Sequence, residues 1–172
     1  PQTSIGDIEL TKVEDYVRAI QKRETDEKIE ITENLLNNLN IIKDGRITLG
    51  GLLFFAKHPQ KYRPAFCVKA ISFFGNSIGG TDYRSSKDIE GTIPEMFEET
   101  MSFFTSNLNH IQDGQNFNKV GKLEIAQTAL EELLQNALVH RDYSKNSPVR
   151  VMIFDNRIEI LSPGALPNSL TI

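Results

Sequence analysis

The sequence has almost no cysteine and no tryptophan, with Cys67 as the single thiol among 172 residues. A lone cysteine cannot form an internal disulfide, which is typical of a reducing compartment, so we expect a cytoplasmic protein. Cys67 lies in an apolar stretch, which favours a small buried side chain over a reactive thiol. The three histidines are far apart and no Cys/His spacing is typical of zinc, so a metalloenzyme is the least favoured class.

Long hydrophobic runs are missing as well. No stretch approaches the roughly 20 apolar residues that a membrane helix needs, and no signal-peptide pattern occurs, so we expect no membrane partner. The chain begins with Pro1 rather than methionine. We therefore interpret it as a piece of a longer polypeptide, truncated at both ends.

Excess positive charge is also absent, since the net charge is −4. That value argues against a nucleic-acid surface over the whole chain. Residues 1–86 hold 12 Lys and Arg against 11 Asp and Glu, whereas residues 87–172 hold 7 against 12. A DNA contact would therefore fall in the first half, where the basic side chains include Lys57, Lys61, Arg63 and Lys69.

Hydrophobic periodicity predicts a helical lead over residues 1–60. Amphipathic helices are expected over 11–24, 32–40 and 49–57, with Thr11 and Glu14 as a capping box and Thr48 as the cap of the third helix. Asp44-Gly45 between two β-branched arms predicts a hairpin. Helix, helix, hairpin and helix resemble part of a winged-helix arrangement.

The remaining residues, 61–172, predict an α/β region, so the fold class is α/β (α+β). We expect a buried strand at 65–74, a loop at 77–86, a helix at 87–107, a mobile linker at 109–121, a helix at 123–140, and strands at 148–154 and 157–161.

The helix predicted at 123–140 carries the most informative pattern. Leu130, Leu133, Leu134, Ala137 and Leu138 form an apolar stripe that we expect to be core. Glu132, Asn136 and His140 recur every fourth residue on a face roughly 135° away. Such a face is usually solvated, but asparagine is poorly suited to an exposed helix interior. This spacing would also let the three side chains hold a metal–nucleotide and orient a water.

The quartet His140-Arg141-Asp142-Tyr143 follows directly. Four hydrogen-bonding side chains at a helix end are consistent with a capping cluster, since His and Arg there interact favourably with the helix dipole. Arg141 and Asp142 could instead tie the helix to the following hairpin, or contribute to a site. The residues alone leave these interpretations open.

A longer motif resembles a known family. Glu132, Asn136-Ala137 and the quartet at 140–143 are followed by IFDNRIEILSPGALP at 153–167, and LLFFAKHPQ occupies 52–60. Together they closely resemble the RecG-related helicase and transcriptional-regulator family along most of the chain. The C-terminal part of that family is similar to the gyrase, histidine-kinase and MutL group of ATPases.

The resemblance implies a histidine-kinase-like ATPase α/β sandwich, with ATP and Mg²⁺ as cofactors. Glu132 would be the catalytic base, Asn136 the Mg²⁺ ligand through the nucleotide, and the other cofactor-binding residues would be His140, Arg141, Asp142, Ser162 and Gly164. The group's Asp-x-Gly-x-Gly box is replaced here by Ser162-Pro163-Gly164-Ala165-Leu166, in which a serine hydroxyl takes the place of a carboxylate. Asp155 is interpreted as a turn former.

The resemblance further implies a glycine-rich lid beyond residue 172 and an N-terminal DNA-binding domain outside this chain. No Gly-x-x-x-x-Gly-Lys-Ser/Thr loop occurs, so nothing supports a helicase motor. We expect a conformational switch driven by ATP, with slow hydrolysis in the longer protein and weak or no binding by this piece alone. The alternatives are a non-catalytic dimerisation or interaction module, which would form a homo-oligomer, and a DNA-binding regulatory module.

Overall fold

The computed structural model describes residues 3–21, 29–78, 82–111 and 122–165. Within them the chain forms five α-helices, a four-stranded mixed sheet and two small hairpins, which confirms the predicted α/β class. The chain divides into two compact units, Pro1–Pro64 with Gly91–Pro94 and Ala65–Glu90 with Glu95–Ile172. No helix of the described ranges is both long and apolar enough to cross a membrane.

The first unit contains the predicted order of helix, helix, hairpin and helix. Its elements are α1 (Leu10–Gln21), α2 (Glu33–Asn38), β1 (Ile42–Lys43), β2 (Arg46–Ile47) and α3 (Leu49–Phe55). Thr48 caps α3, because its hydroxyl accepts a hydrogen bond from the Gly51 N–H at 2.9 Å. The hairpin turns at Asp44 and Gly45, with φ of 51° and 72°, which is the left-handed backbone that an Asp-Gly turn supplies.

The first helix differs from its predicted limits. It begins at Leu10, so Thr11 lies inside the first turn and its hydroxyl donates to Glu9 rather than capping. The capping box belongs instead to Ser4 and Asp7, around the short 3₁₀ turn Ile5–Asp7. Residues 22–24, predicted to end the helix, lie outside the described ranges.

The core of this unit comprises Ile8, Val13, Val17, Leu36, Ile41 and Ile42.

Gly51 is required where α3 passes the hairpin. A Cβ atom at this position would lie 2.1 Å from the Ile41 carbonyl oxygen and 2.9 Å from the Ile47 Cγ2 atom. This carbonyl belongs to the backbone of the buried residue Ile41, so it has little freedom to move away. A close approach of two backbone segments therefore holds α3 against the hairpin.

We expect Gly51→Ala to lower the free energy of unfolding by about 2–3 kcal/mol, because the added methyl overpacks this contact. Gly50→Ala is the matched control: in the same helix, its Cβ would meet only the Thr48 hydroxyl oxygen, at 3.9 Å. The control should stabilise slightly through helix propensity. Urea unfolding of both variants measures the difference, and equal stabilities would contradict the close approach.

The second unit is built on a four-stranded sheet. Its strands are β3 (Val68–Phe73), β4 (Tyr83–Ile89), β7 (Val149–Ile153) and β8 (Ile158–Leu161), in the spatial order β4-β3-β7-β8. β3 and β7 are parallel, and both outer pairs are antiparallel. The other elements are α4 (Ile93–Asn107), β5 (His110–Ile111), β6 (Lys122–Leu123) and α5 (Gln127–Val139).

Alternation along the two central strands defines the core of this unit. Val149, Val151 and Ile153 are buried, whereas Arg150 between them is exposed. The parallel register sets Val68 beside Val149 and Ala70 beside Val151, so one face of the sheet is continuous and apolar. The helices α4 and α5 contribute their own buried stripes, Met96, Phe103, Phe104, Leu130, Leu134 and Leu138.

Several predicted boundaries change in this unit, and the helix expected at 123–140 spans Gln127–Val139, preceded by the short strand β6. The loop expected at 77–86 is wrong over 83–86, because residues 83–89 form the edge strand β4. Its side chains are mostly polar and exposed, which hides a strand pattern. The helix expected from residue 87 begins at Ile93, and the linker expected at 109–121 starts with β5. The rest of that linker, 112–121, lies outside the described residues.

Candidate functional site

The C-terminal end of α5 and the bend after β8 are joined by two hydrogen bonds. The Ser162 hydroxyl donates to the Ala137 carbonyl at 2.8 Å, and the Asp142 N–H donates to the Pro163 carbonyl at 2.7 Å. Gly164 has a φ of 153°, a conformation that side chains rarely adopt. The two sequence motifs are therefore neighbours in the second unit, although Ala137 and Ser162 are 25 residues apart.

Glu132 and Asn136 interact with each other on the exposed side of α5. The Asn136 amide nitrogen donates to the Glu132 carboxylate at 3.0 Å, and both residues are exposed. Asn136 directly precedes Ala137, whose carbonyl holds Ser162. Asn136 is thus next in sequence to the residue that bonds the bend, Glu132 lies one turn further back, and both side chains are on an open surface.

His140 is the C-cap of α5. Its backbone N–H donates to the Asn136 carbonyl at 3.0 Å, and its side chain is exposed. The imidazole therefore stands on the same open side of the helix end as the predicted pair, one turn beyond Asn136.

Arg141 is buried, with only 6% of its surface exposed. Its guanidinium donates to the backbone carbonyls of Ala65 (3.4 Å), Lys145 (3.2 Å) and Ser147 (2.6 Å). Its Cζ atom also lies beside two rings that contact each other, 4.7 Å from the Phe66 centroid and 4.9 Å from the Tyr143 centroid. Burial lowers the pKa of this guanidinium. These contacts favour the interpretation in which Arg141 ties the helix to the following segment.

Asp142 and Tyr143 also form local structure. The Asp142 carboxylate accepts from the Ser144 hydroxyl at 2.6 Å and from the Ser144 N–H at 3.0 Å, and these bonds lower its pKa. The Tyr143 hydroxyl donates to the Leu138 carbonyl at 2.6 Å, and burial raises the pKa of Tyr143. The quartet therefore organises the turn that leads from α5 into β7, and its backbone holds the bend.

One member of the predicted apolar stripe does not belong to the core. Leu133 is 57% exposed, whereas Leu130, Leu134 and Leu138 are at most 2% exposed. Val139 is also exposed on this helix, at 45%. The outer side of α5 thus combines polar groups with two uncovered aliphatic side chains.

A second cluster was not predicted from the sequence. Asp155, at the β7–β8 turn, accepts from the Gly75 N–H at 2.9 Å and pairs with Arg84, and this ion pair lowers the pKa of Asp155. The Asp155 N–H in turn donates to the Gly75 carbonyl at 3.0 Å. Its partners Arg84 and Gly75 are 71 and 80 residues away. The sequence therefore predicted the place of Asp155 in the turn but not these contacts.

The four basic residues proposed for DNA belong to two different units. Lys57, Lys61 and Arg63 belong to the first unit, and Lys69 belongs to the second. Lys69 pairs with Asp88 at 2.8 Å, and Lys61 lies 3.7 Å from Asp7. The geometry therefore does not strengthen the DNA interpretation.

No protein-family model matches the chain, and no curated protein sequence matches it. In three dimensions it is similar to the DIP2311 protein from Corynebacterium diphtheriae, known from a crystal structure, with a TM-score of 0.62 and 19% sequence identity. The likeness covers 99% of this chain and 33% of the other, so the chain spans about a third of that protein. At this identity the likeness supports the fold alone.

We expect Arg141→Met to lower the free energy of unfolding by about 2 kcal/mol or more, because it leaves three part-buried backbone carbonyls without their donor. Arg150→Met is the control, since Arg150 is exposed on a strand of the same unit. Chemical unfolding of the two variants tests this difference. An Arg141→Met variant as stable as the wild type would contradict the conclusion that Arg141 ties the helix to the following segment.

Proposed function

We propose that the chain is part of a RecG-related, helicase-like transcriptional regulator, and that the outer side of α5 with the bend at 162–164 binds a Mg²⁺-nucleotide as a conformational switch. One observation carries the proposal: the bend is bonded to the carbonyl of Ala137, next to the hydrogen-bonded pair of Asn136 and Glu132. A carboxylate, a carboxamide and a hydroxyl from two motifs distant in sequence are thereby brought to the same part of one helix.

The donor set suits a hard cation and phosphate. Asn136 uses its amide nitrogen to bond Glu132, which leaves the amide oxygen as a neutral ligand of the kind that Mg²⁺ accepts. Mg²⁺, when bound, would offset the charge of the phosphates. The Glu132 carboxylate would orient or deprotonate a water, since it is exposed and held by Asn136.

Ser162 would contact the base of the nucleotide. Its hydroxyl proton is donated to Ala137, so its oxygen still has a lone pair to accept a hydrogen bond from an exocyclic amino group. This contact would be weaker than one to an ionised carboxylate. Binding would therefore depend strongly on the phosphate end, and on segments outside this chain.

The switch would act through the junction between α5 and the bend. A ligand that touches both Asn136 and Ser162 favours the arrangement in which the two hydrogen bonds of the junction are intact. It can shift the equilibrium only by its difference in affinity for the two arrangements. We therefore expect binding to stabilise the end of β8 more than the rest of the sheet.

A second candidate function is a docking surface without catalysis. Leu133 and Val139 are exposed on the same helix as Asn136, and uncovered aliphatic side chains are typical of interaction sites. In this interpretation Asn136 and Glu132 stabilise the helix surface, and the protein forms a homo-oligomer or binds another protein.

Asn136→Ala separates the two candidates. In the longer protein we expect it to weaken Mg²⁺-ATP binding at least about tenfold, measured by calorimetry, because a ligand of the cation is lost. Its folding should change little, since Asn136 is exposed. Gln135→Ala, an exposed neighbour in the same helix, should leave binding unchanged.

Equal nucleotide affinity in wild type and Asn136→Ala would contradict the nucleotide proposal. If the longer protein bound no nucleotide and Leu133→Ser dissociated an oligomer, the docking interpretation would replace the nucleotide proposal.

A further inference from the structure

A cavity of about 380 Å³ lies in the first unit, beside the β1–β2 hairpin. The residues that give it chemical character are Arg46, Ile47, Leu49, Leu52, Tyr62 and Arg63. Its volume falls within the range of small-molecule sites, roughly 300–1,000 Å³. None of the residues assigned above to the nucleotide surface lines it, and its chemistry is separate.

Two arginines give the cavity its charge. Arg46 and Arg63 are both exposed, and within the described ranges neither side chain makes an ion pair or a hydrogen bond. None of the lining residues that the structure describes is acidic. The neighbouring Asp7 is already engaged by Lys61 and by the hydrogen bonds it accepts from Ser4. Among the described residues, the two positive charges of the cavity therefore have no acidic partner.

The remainder of the wall combines apolar and aromatic side chains with the two threonines Thr3 and Thr48. Leu52 is 5% exposed and forms fixed core, while Ile47 is half-buried. Tyr62 is half-buried, and the Lys61 ammonium lies 5.2 Å from its ring centroid.

We propose that this cavity binds a small organic anion. Arg46 and Arg63 bind its phosphate or carboxylate group, and its planar or apolar body lies against Leu52, Ile47 and Tyr62. The planar fork of arginine matches both kinds of anion and forms paired hydrogen bonds with either. The site lies in the first unit and does not depend on the nucleotide proposal.

The shape favours a small molecule over duplex DNA. A DNA-binding surface gains most of its affinity from many phosphate contacts spread along a backbone. Here the neighbouring ammonium groups are engaged, with Lys57 donating to the Gly6 carbonyl at 3.0 Å and Lys61 near Asp7. The guanidiniums of Arg46 and Arg63, unpaired among the described residues, lie beside apolar side chains. This arrangement suits a ligand with one anionic group and one apolar body.

The test uses the 172-residue chain with phenyl phosphate, benzoate and the neutral benzyl alcohol as probes. We follow the backbone amide signals of Ile47 and Leu52 by NMR, up to about 10 mM, above the ~1 mM dissociation constant expected of so small a ligand. We expect one or both anions to shift these signals and benzyl alcohol to leave them unchanged. Phenyl phosphate alone would identify a phosphate ligand, and benzoate alone a carboxylate.

Variants then assign the contacts. Arg46→Gln and Arg63→Gln should each weaken binding about tenfold, because a charge-assisted hydrogen bond is lost. Arg150→Gln, an exposed arginine of the other unit, is the matched control. Arg46→Lys and Arg63→Lys keep the charge without the fork and should lose part of the affinity.

Three outcomes would overturn the proposal. They are the absence of any shift with both anions, equal affinity in wild type and both glutamine variants, and binding of duplex DNA through these arginines without binding of either small anion. Because Asn136 belongs to neither the cavity nor its variants, this result is independent of the nucleotide test.

Discussion

The parallel pairing of β3 with β7 is the constraint on which the second unit depends. Val68 lies beside Val149 and Ser72 beside Ile153, so the chain must return to the starting level of β3 before β7 begins. The helix α5 is the last helix of this return, and the segment 140–148 joins it to β7. The β7–β8 hairpin then brings the chain back to the same end. Ser162 therefore meets Ala137 as a consequence of topology.

Both ends of the β7–β8 hairpin are fixed in this way. At the turn, Asp155 bonds to Gly75 and Arg84, and at the other end the bend is bonded to α5. Arg141 and its carbonyl partners secure the segment between α5 and β7. The buried part of the quartet thus supplies structure, while the exposed side of α5 remains free for chemistry. This division explains why one short sequence motif mixes rigid and accessible residues.

Local patterns predicted much of this arrangement. The hairpin at Asp44-Gly45 and the cap at Thr48 rest on turn and cap chemistry between close neighbours, and both are confirmed. The edge strand β4 was missed, because an exposed polar strand lacks the alternation that marks a half-buried one. The burial of Arg141 and the ion pair of Asp155 were not predictable from local patterns. Ala65 beside Arg141, and Gly75 and Arg84 beside Asp155, are distant in sequence. Helical periodicity placed Leu133 in the apolar stripe, so it was expected in the core. Whether a residue at the edge of the stripe is buried depends on what covers α5, which the periodicity does not show.

The most direct measurement is a crystal structure of the longer protein with Mg²⁺ and a non-hydrolysable ATP analogue. The account predicts the phosphates and cation beside the Asn136 amide oxygen, with the base next to Ser162. A nucleotide seated away from α5, with its phosphates contacting neither Asn136 nor Glu132, would contradict it.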